Sequence, residues 1–222
     1  AALQGCAHVI PMLEPPVTLV MTQMFLDTTR FTLLRAQSDL LKLVQASLLT
    51  PQQKERMYPQ LFEALTELHK RKVAHLDLKM ENILVDDVSS AAPHLYVADF
   101  GLSFVGVEHG EVFCGRVRGS RAYACPEMME GLPWNPYAAD VFSMGVVLHG
   151  LAFGHFPFNA AQADDPLYAK YRRNQTKGMR PTEALAAQWT SLRDKLRHAS
   201  TELARMLNDC LTVDPHQRRR FY

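Results

Sequence analysis

Along eight residues, His75-Leu76-Asp77-Leu78-Lys79-Met80-Glu81-Asn82, the chain sets a carboxylate, an ammonium and an amide in one stretch. Seventeen residues after Asn82 comes Asp99-Phe100-Gly101. Phosphoryl transfer asks for these parts: a base aimed at the attacking hydroxyl, cations that offset charge on the phosphate oxygens, and rigid positioning of both. Asp77 fits the base. Lys79, two residues on in an extended loop, points to the same side and fits a point charge against the transferring phosphate, where it helps the transition state most. Asn82 and Asp99 offer a neutral and an anionic oxygen. That donor set suits Mg²⁺, which takes one or two protein ligands and fills its shell with phosphate and water. Singly, each is an ordinary solvated loop residue; in this order and spacing they point to a phosphoryl-transfer site.

The H-x-D-L-x-x-x-N run with its downstream D-F-G resembles the catalytic loop and metal-binding turn of the eukaryotic-type Ser/Thr protein kinases, and the likeness covers nearly the whole chain. It implies transfer of the γ-phosphate of ATP, with Mg, to a hydroxyl of a protein substrate. Asp77, Lys79, Asn82 and Asp99 take the catalytic roles, with Asn82 and Asp99 as metal ligands. By the same resemblance His75 is structural and stacks beneath Phe100, with Leu13 above them. Gly119-Ser120-Arg121-Ala122-Tyr123-Ala124-Cys125-Pro126-Glu127 is similar to the segment that holds the peptide substrate, with Ser for the usual Thr and Cys for the usual Ala. Ser120 is then expected to bond Asp77 and Lys79. Asp140, at the start of Asp140-Val141-Phe142-Ser143-Met144-Gly145, resembles the aspartate that braces the catalytic-loop backbone, and Arg218 resembles the arginine that pairs with Glu127. Met21 falls at the gatekeeper position and Thr22-Gln23-Met24 at the hinge. Met21, Gln23, Met24, Glu81 and Leu84 are thus the expected cofactor contacts. Glu81 also stands where some kinases attract basic residues ahead of the phosphosite.

Several elements must position these side chains. Thr50-Pro51-Gln52-Gln53 is a helix start, with a Thr cap, Pro in the first turn and Gln at the third position. Met57, Leu61, Leu65 and Leu68 follow at the spacing of one buried face, and Lys70-Arg71-Lys72 suits the negative helix end. Ile83–Val85 and Leu95–Val97 read as short strands flanking the site, and Leu203, Met206, Leu207 and Cys210 as the apolar face of another helix. Val9–Leu13 and Val17–Met21, joined by Glu14-Pro15-Pro16, read as a hairpin. The expected fold is α+β and protein-kinase-like. Residues 27–222 form its mostly helical lobe, and residues 1–26 a remnant of the smaller lobe with the end of a helix, the family's fourth and fifth strands and the hinge.

At 222 residues, 25.1 kDa and 47% hydrophobic, one main domain is expected. Lys plus Arg number 24 against 23 Asp plus Glu, so no bulk charge argues for a nucleic-acid partner. The most apolar stretch, Val141–Phe158, is interrupted by His149, Gly150, Gly154, His155 and Pro157 and reads as a buried helix and loop, so no membrane span is expected. Cys6, Cys114, Cys125 and Cys210 form no metal or disulfide spacing; free thiols and a reducing, cytoplasmic location are expected.

Two departures from the family pattern bear on function. No glycine-rich phosphate loop and no strand lysine with its glutamate precede Val9. The sequence is expected to be an excerpt of a longer kinase and inactive or weak alone, the alternative being a truncated, pseudokinase-like binding or regulatory module. Leu76 replaces the arginine that usually precedes the catalytic aspartate and docks an activation-loop phosphate. Activity is therefore expected not to depend on phosphorylation there.

Overall fold

The computed structural model describes residues 3, 5–11, 17–21, 26–30, 36–188 and 190–221, with backbone alone at 17–21, 26–30, 190 and 191. Strands β1 (Val17–Met21) and β2 (Leu26–Arg30) pair antiparallel, Val17 opposite Arg30 and Met21 opposite Leu26. The expected hairpin partner for Val17–Met21 was the upstream run, and the structure corrects it: β1 turns to the segment after it. Val9 instead forms a parallel bridge to Val97, with Val97 N donating to His8 O at 2.8 Å and Ile10 N donating to Val97 O at 3.0 Å.

A short strand β3 (Ser38–Asp39) leads into α1 (Leu40–Gln45), whose first turn is capped by the Asp39 carboxylate accepting from Lys42 N at 2.9 Å. Helix α2 (Pro51–Lys70) starts where the Thr-Pro-Gln-Gln signal predicts. Gln53 N donates to Thr50 Oγ1 at 3.2 Å and Thr50 N to Gln53 Oε1 at 2.9 Å, a reciprocal capping box. Met57, Leu61, Leu65 and Leu68 are buried on one face as their spacing requires. Each contributes about 1.5–3 kcal/mol by leaving water.

Past α2, β4 (Val73–Ala74) runs into the His75–Asn82 stretch, then β5 (Ile83–Asp86) and β6 (His94–Val97). The sheet order is β3-β5-β6, antiparallel, with Ile83 opposite Val97 and Leu84 opposite both Asp39 and Tyr96. Ile83 and Val85 face the core, while Leu84 and Asp86 alternate to the other face. Strand β7 (Phe104–Val105) pairs back onto β4, which ties the segment after Asp99-Phe100-Gly101 to the strand before the catalytic loop.

The rest is helical: α3 (Pro126–Met129), α4 (Pro136–Phe153), α5 (Pro166–Thr176), α6 (Pro181–Ala186), α7 (Thr190–Arg197) and α8 (Thr201–Cys210). Helix α4 is the central one. Its 18 residues are apolar enough to cross a membrane by composition, but 78% of them are buried inside the fold, so it is apolar all round because it is packed all round. Gly145 on α4 lets α8 approach: a Cβ there would lie 2.7 Å from Leu211 side-chain carbons and 2.8 Å from Cys210 Cβ. The architecture is α+β and kinase-like, small sheets against a mostly helical lobe.

Candidate active site

The His75–Asn82 stretch is held from below by one carboxylate. Asp140, 1% exposed near the start of α4, accepts from His75 N at 2.7 Å and Leu76 N at 2.8 Å, and takes His69 Nε2 at 3.2 Å. Two successive backbone donors on the two oxygens of one side chain fix the peptide that precedes Asp77. Leu76 adopts φ +63°, a region costly for a non-glycine residue that persists where surroundings over-determine it, and the Asp140 clamp supplies that constraint. The Leu76 side chain is 6% exposed and part of the core, so no cationic group stands at the position where an arginine would meet a phosphate. His69 carries no motif signal. Its role appears only once α2 and α4 are packed.

His75 is fully buried. Its Nε2 meets Ala98 O at 3.0 Å and its Nδ1 accepts from Asp77 N at 3.3 Å, which assigns the proton to Nε2. Burial pushes its pKa below the usual imidazole value, against the pull of Asp140 and the Ala98 carbonyl. Its ring lies 4.8 Å from that of Phe100, tilted by 58°. His75 is thus a neutral spacer between the catalytic loop and the Asp99-Phe100-Gly101 turn. Leu13, the third member expected in that stack, lies outside the described residues.

All four oxygen contacts of the Asp77 carboxylate come from residues at the site. Oδ2 accepts from Lys79 Nζ at 2.7 Å and Asn82 Nδ2 at 3.1 Å; Oδ1 accepts from Ser120 N at 3.1 Å and Ser120 Oγ at 3.2 Å. Lys79 Nζ also donates to Ser120 Oγ at 3.3 Å, closing a Lys79, Ser120, Asp77 triangle. The hydrogen bond to Asp77 raises the Lys79 pKa, so the ammonium stays charged. Asn82 Nδ2 also donates to Asp77 O at 2.9 Å, which commits its NH₂ group and leaves its carbonyl oxygen as the donor atom for a cation. Asp99 follows β6 at φ +62° with an exposed carboxylate, one oxygen of which accepts from Gly101 N at 3.3 Å. Ala98 N donates to Asn82 O at 2.9 Å, so the two oxygen donors belong to cross-linked segments. Among the described residues no three His, Cys, Asp or Glu side chains gather as a cage. Two oxygen donors of this kind are a set that Mg²⁺ with bound phosphate can take.

The approach of Ser120 depends on Gly119, the residue that opens its motif. Gly119 sits at φ +68°, and a Cβ there would stand 2.4 Å from Leu76 O and 2.9 Å from Asp77 Oδ1. The same segment is pinned by Tyr123, whose hydroxyl accepts from Met80 N at 3.2 Å and donates to Glu81 Oε2 at 3.1 Å. Glu81 is exposed and faces the end of the activation segment through this contact. Leu84 is half-buried on the sheet face away from the core. Thr22, Gln23 and Met24 lie outside the described residues, and Met21 enters only as the backbone end of β1.

Farther out, Glu127 in α3 and Arg218 form a buried bidentate pair at 2.6 and 2.7 Å. The remaining Arg218 donors go to Ala138 O, Thr212 O and Val213 O, so all five N–H groups are engaged, and the guanidinium lies 4.9 Å from the Phe142 ring centroid. Burial opposes the charge on Arg218, but the Glu127 bonds outweigh it and hold the pKa above the ordinary arginine value. Cys6, Cys114, Cys125 and Cys210 are free, and burial pushes the Cys125 and Cys210 thiols well up, which makes them unreactive.

A family model described as protein kinase domain matches residues 10–221. The chain is 34% identical over 118 residues to testis-specific serine/threonine-protein kinase 4 of Homo sapiens, covering 47% of this chain and 35% of that protein. It is 40% identical over 131 residues to CBL-interacting protein kinase 29 of Oryza sativa subsp. japonica, covering 58% of this chain and 28% of that one. A probable serine/threonine-protein kinase of Schizosaccharomyces pombe is 34% identical over 123 residues, covering 53% of this chain and 15% of its own length. The matched stretch thus spans about a third or less of each relative. Matched by the protein kinase domain over residues 10–221, the chain belongs to the eukaryotic-type Ser/Thr protein kinase family.

Proposed function

We propose that the protein carrying this chain transfers the γ-phosphoryl group of MgATP to a serine or threonine hydroxyl of a protein substrate, and that this chain supplies the catalytic lobe. In this reading residues 27–222 make up the catalytic lobe and residues 1–26 belong to the smaller lobe. The observation that carries the reading is the Asp77 carboxylate, oriented from both sides by Lys79, Asn82 and Ser120. A hydroxyl already donates to Oδ1, which supports Asp77 as the acceptor of the proton that a substrate hydroxyl loses. Lys79 keeps its charge beside that carboxylate and offsets charge developing on the transferring group. When bound, MgATP supplies the phosphoryl group and the cation that neutralises it. Asn82 through its amide oxygen and Asp99 through its carboxylate would hold that cation, and the Asp140 clamp fixes the backbone of the loop that carries Asn82.

Nucleotide binding by the full-length protein tests the cofactor half of this reading. Binding of a non-hydrolysable ATP analogue, followed calorimetrically, should require Mg²⁺ and weaken at least about tenfold in D99N, the loss of one charge-assisted ligand. Equal binding with and without Mg²⁺, or in D99N, would overturn it. Retained partner binding with no nucleotide affinity would make the lobe a binding module instead.

A further inference from the structure

Residues 112–126 contain three arginines, Arg116, Arg118 and Arg121, and no aspartate or glutamate. All three are exposed. Among the described residues none meets a carboxylate: the Arg118 guanidinium lies 4.6 Å from the Phe104 ring centroid, and Arg121 Nη2 donates to the neutral Gln162 Oε1 at 2.7 Å. Four acids of the site and of the segment that follows it are committed elsewhere. Glu127 binds Arg218, Glu130 binds Arg172, Glu81 accepts from Tyr123, and Asp77 binds Lys79. Positive charge is therefore left over at this rim, and it is next to the chemistry. Ser120, flanked by Arg118 and Arg121, hydrogen-bonds Asp77, and Arg118, Ser120, Tyr123 and Asp77 line one small cavity. A residue whose hydroxyl reaches Asp77 has its sequence neighbours beside these guanidinium groups.

We propose that Arg116, Arg118 and Arg121 select the substrate class, peptides carrying Asp or Glu within two residues of the acceptor hydroxyl, the span over which Arg118 and Arg121 flank Ser120. This rests on the functional reading of Asp77 given above. Guanidinium forks match carboxylates bidentately, and the phenyl stack holds Arg118 in a preset orientation. Lys- and Arg-rich peptides meet like charge and are rejected, so the cluster discriminates as well as attracts.

Fluorescence anisotropy with labelled peptides on the full-length protein reads this without phosphotransfer. A peptide with Glu on either side of a central serine should bind about tenfold tighter than its Gln counterpart, and a Lys counterpart more weakly still. The advantage should shrink in high salt, as expected for rim charges. The double variant R116E and R121E should abolish or reverse the preference, and R118Q, with its unfolding transition unchanged, should reduce it. Equal Glu and Gln affinities, no binding of the Glu peptide at about 1 mM, or a retained preference in the folded double variant would overturn the inference. So would equal competition by an oligonucleotide of matched charge, which would mark a general polyanion surface. An inactive full-length protein would instead count against the functional reading, while equal affinities in an active one would count against this inference alone.

Discussion

Two residues without a polar side chain, Gly119 and Leu76, set the spacing around Asp77. The Leu76 carbonyl lies where a Gly119 Cβ would fall, at 2.4 Å, so the activation segment and the catalytic loop touch backbone to backbone. Gly119→Ala therefore has to push the segment away, at φ +68° as well, and should break the two Ser120 contacts to Asp77. We predict turnover of the full-length protein reduced by about 10²-fold with a smaller change in nucleotide affinity, since misplacement of about 1 Å near the reacting atoms is enough for that. Unchanged steady-state kinetics would contradict it. The grouping of Lys79 and Asn82 on Asp77 was legible because the three stand at short, local spacings. The His69 contact to Asp140 was not, because it joins two helices across 71 residues and follows from packing alone.

Helix α2 was readable to its first residue because its cap, its first-turn proline and its apolar face are all local signals. The β1 pairing was not. An apolar run marks a strand but names no partner, and the polar run Leu26–Arg30 gave no strand signal of its own. The Glu127–Arg218 pair spans 91 residues and was readable only through the family pattern. It joins α3, at the end of the substrate platform, to the chain after α8. Glu127→Ala leaves a fully buried guanidinium with two of its donors empty, and should cost about 3–5 kcal/mol in urea unfolding. A loss under about 1 kcal/mol would mean that Arg218 finds solvent or another acid in the variant.

For the whole molecule, the central helix α4 with α2 and α8 against it forms the core on which Asp140 and the catalytic loop are mounted. That core also buries histidines. Burial holds His149 at about 3 against the ordinary 6.5, and lowers His75 too. Both are neutral when folded and take up protons more readily when unfolded. The His149 contribution is fully present above about pH 6.5 and is lost as pH falls toward 3, with a slope of up to about 1.4 kcal/mol per pH unit, and His75 acts in the same direction. Urea midpoints should decline steadily between pH 6.5 and 4; flat midpoints would contradict the burial of neutral imidazoles. We propose Asp77 as the base of a phosphoryl transfer to protein hydroxyls. The most direct measurement is phosphate incorporation into a Ser/Thr peptide by the full-length protein, followed by mass spectrometry, for wild type and D77N under saturating MgATP. A fall of about 10²–10⁴-fold in kcat with folding and nucleotide affinity intact is the predicted result, and D77N turning over at the wild-type rate would contradict it.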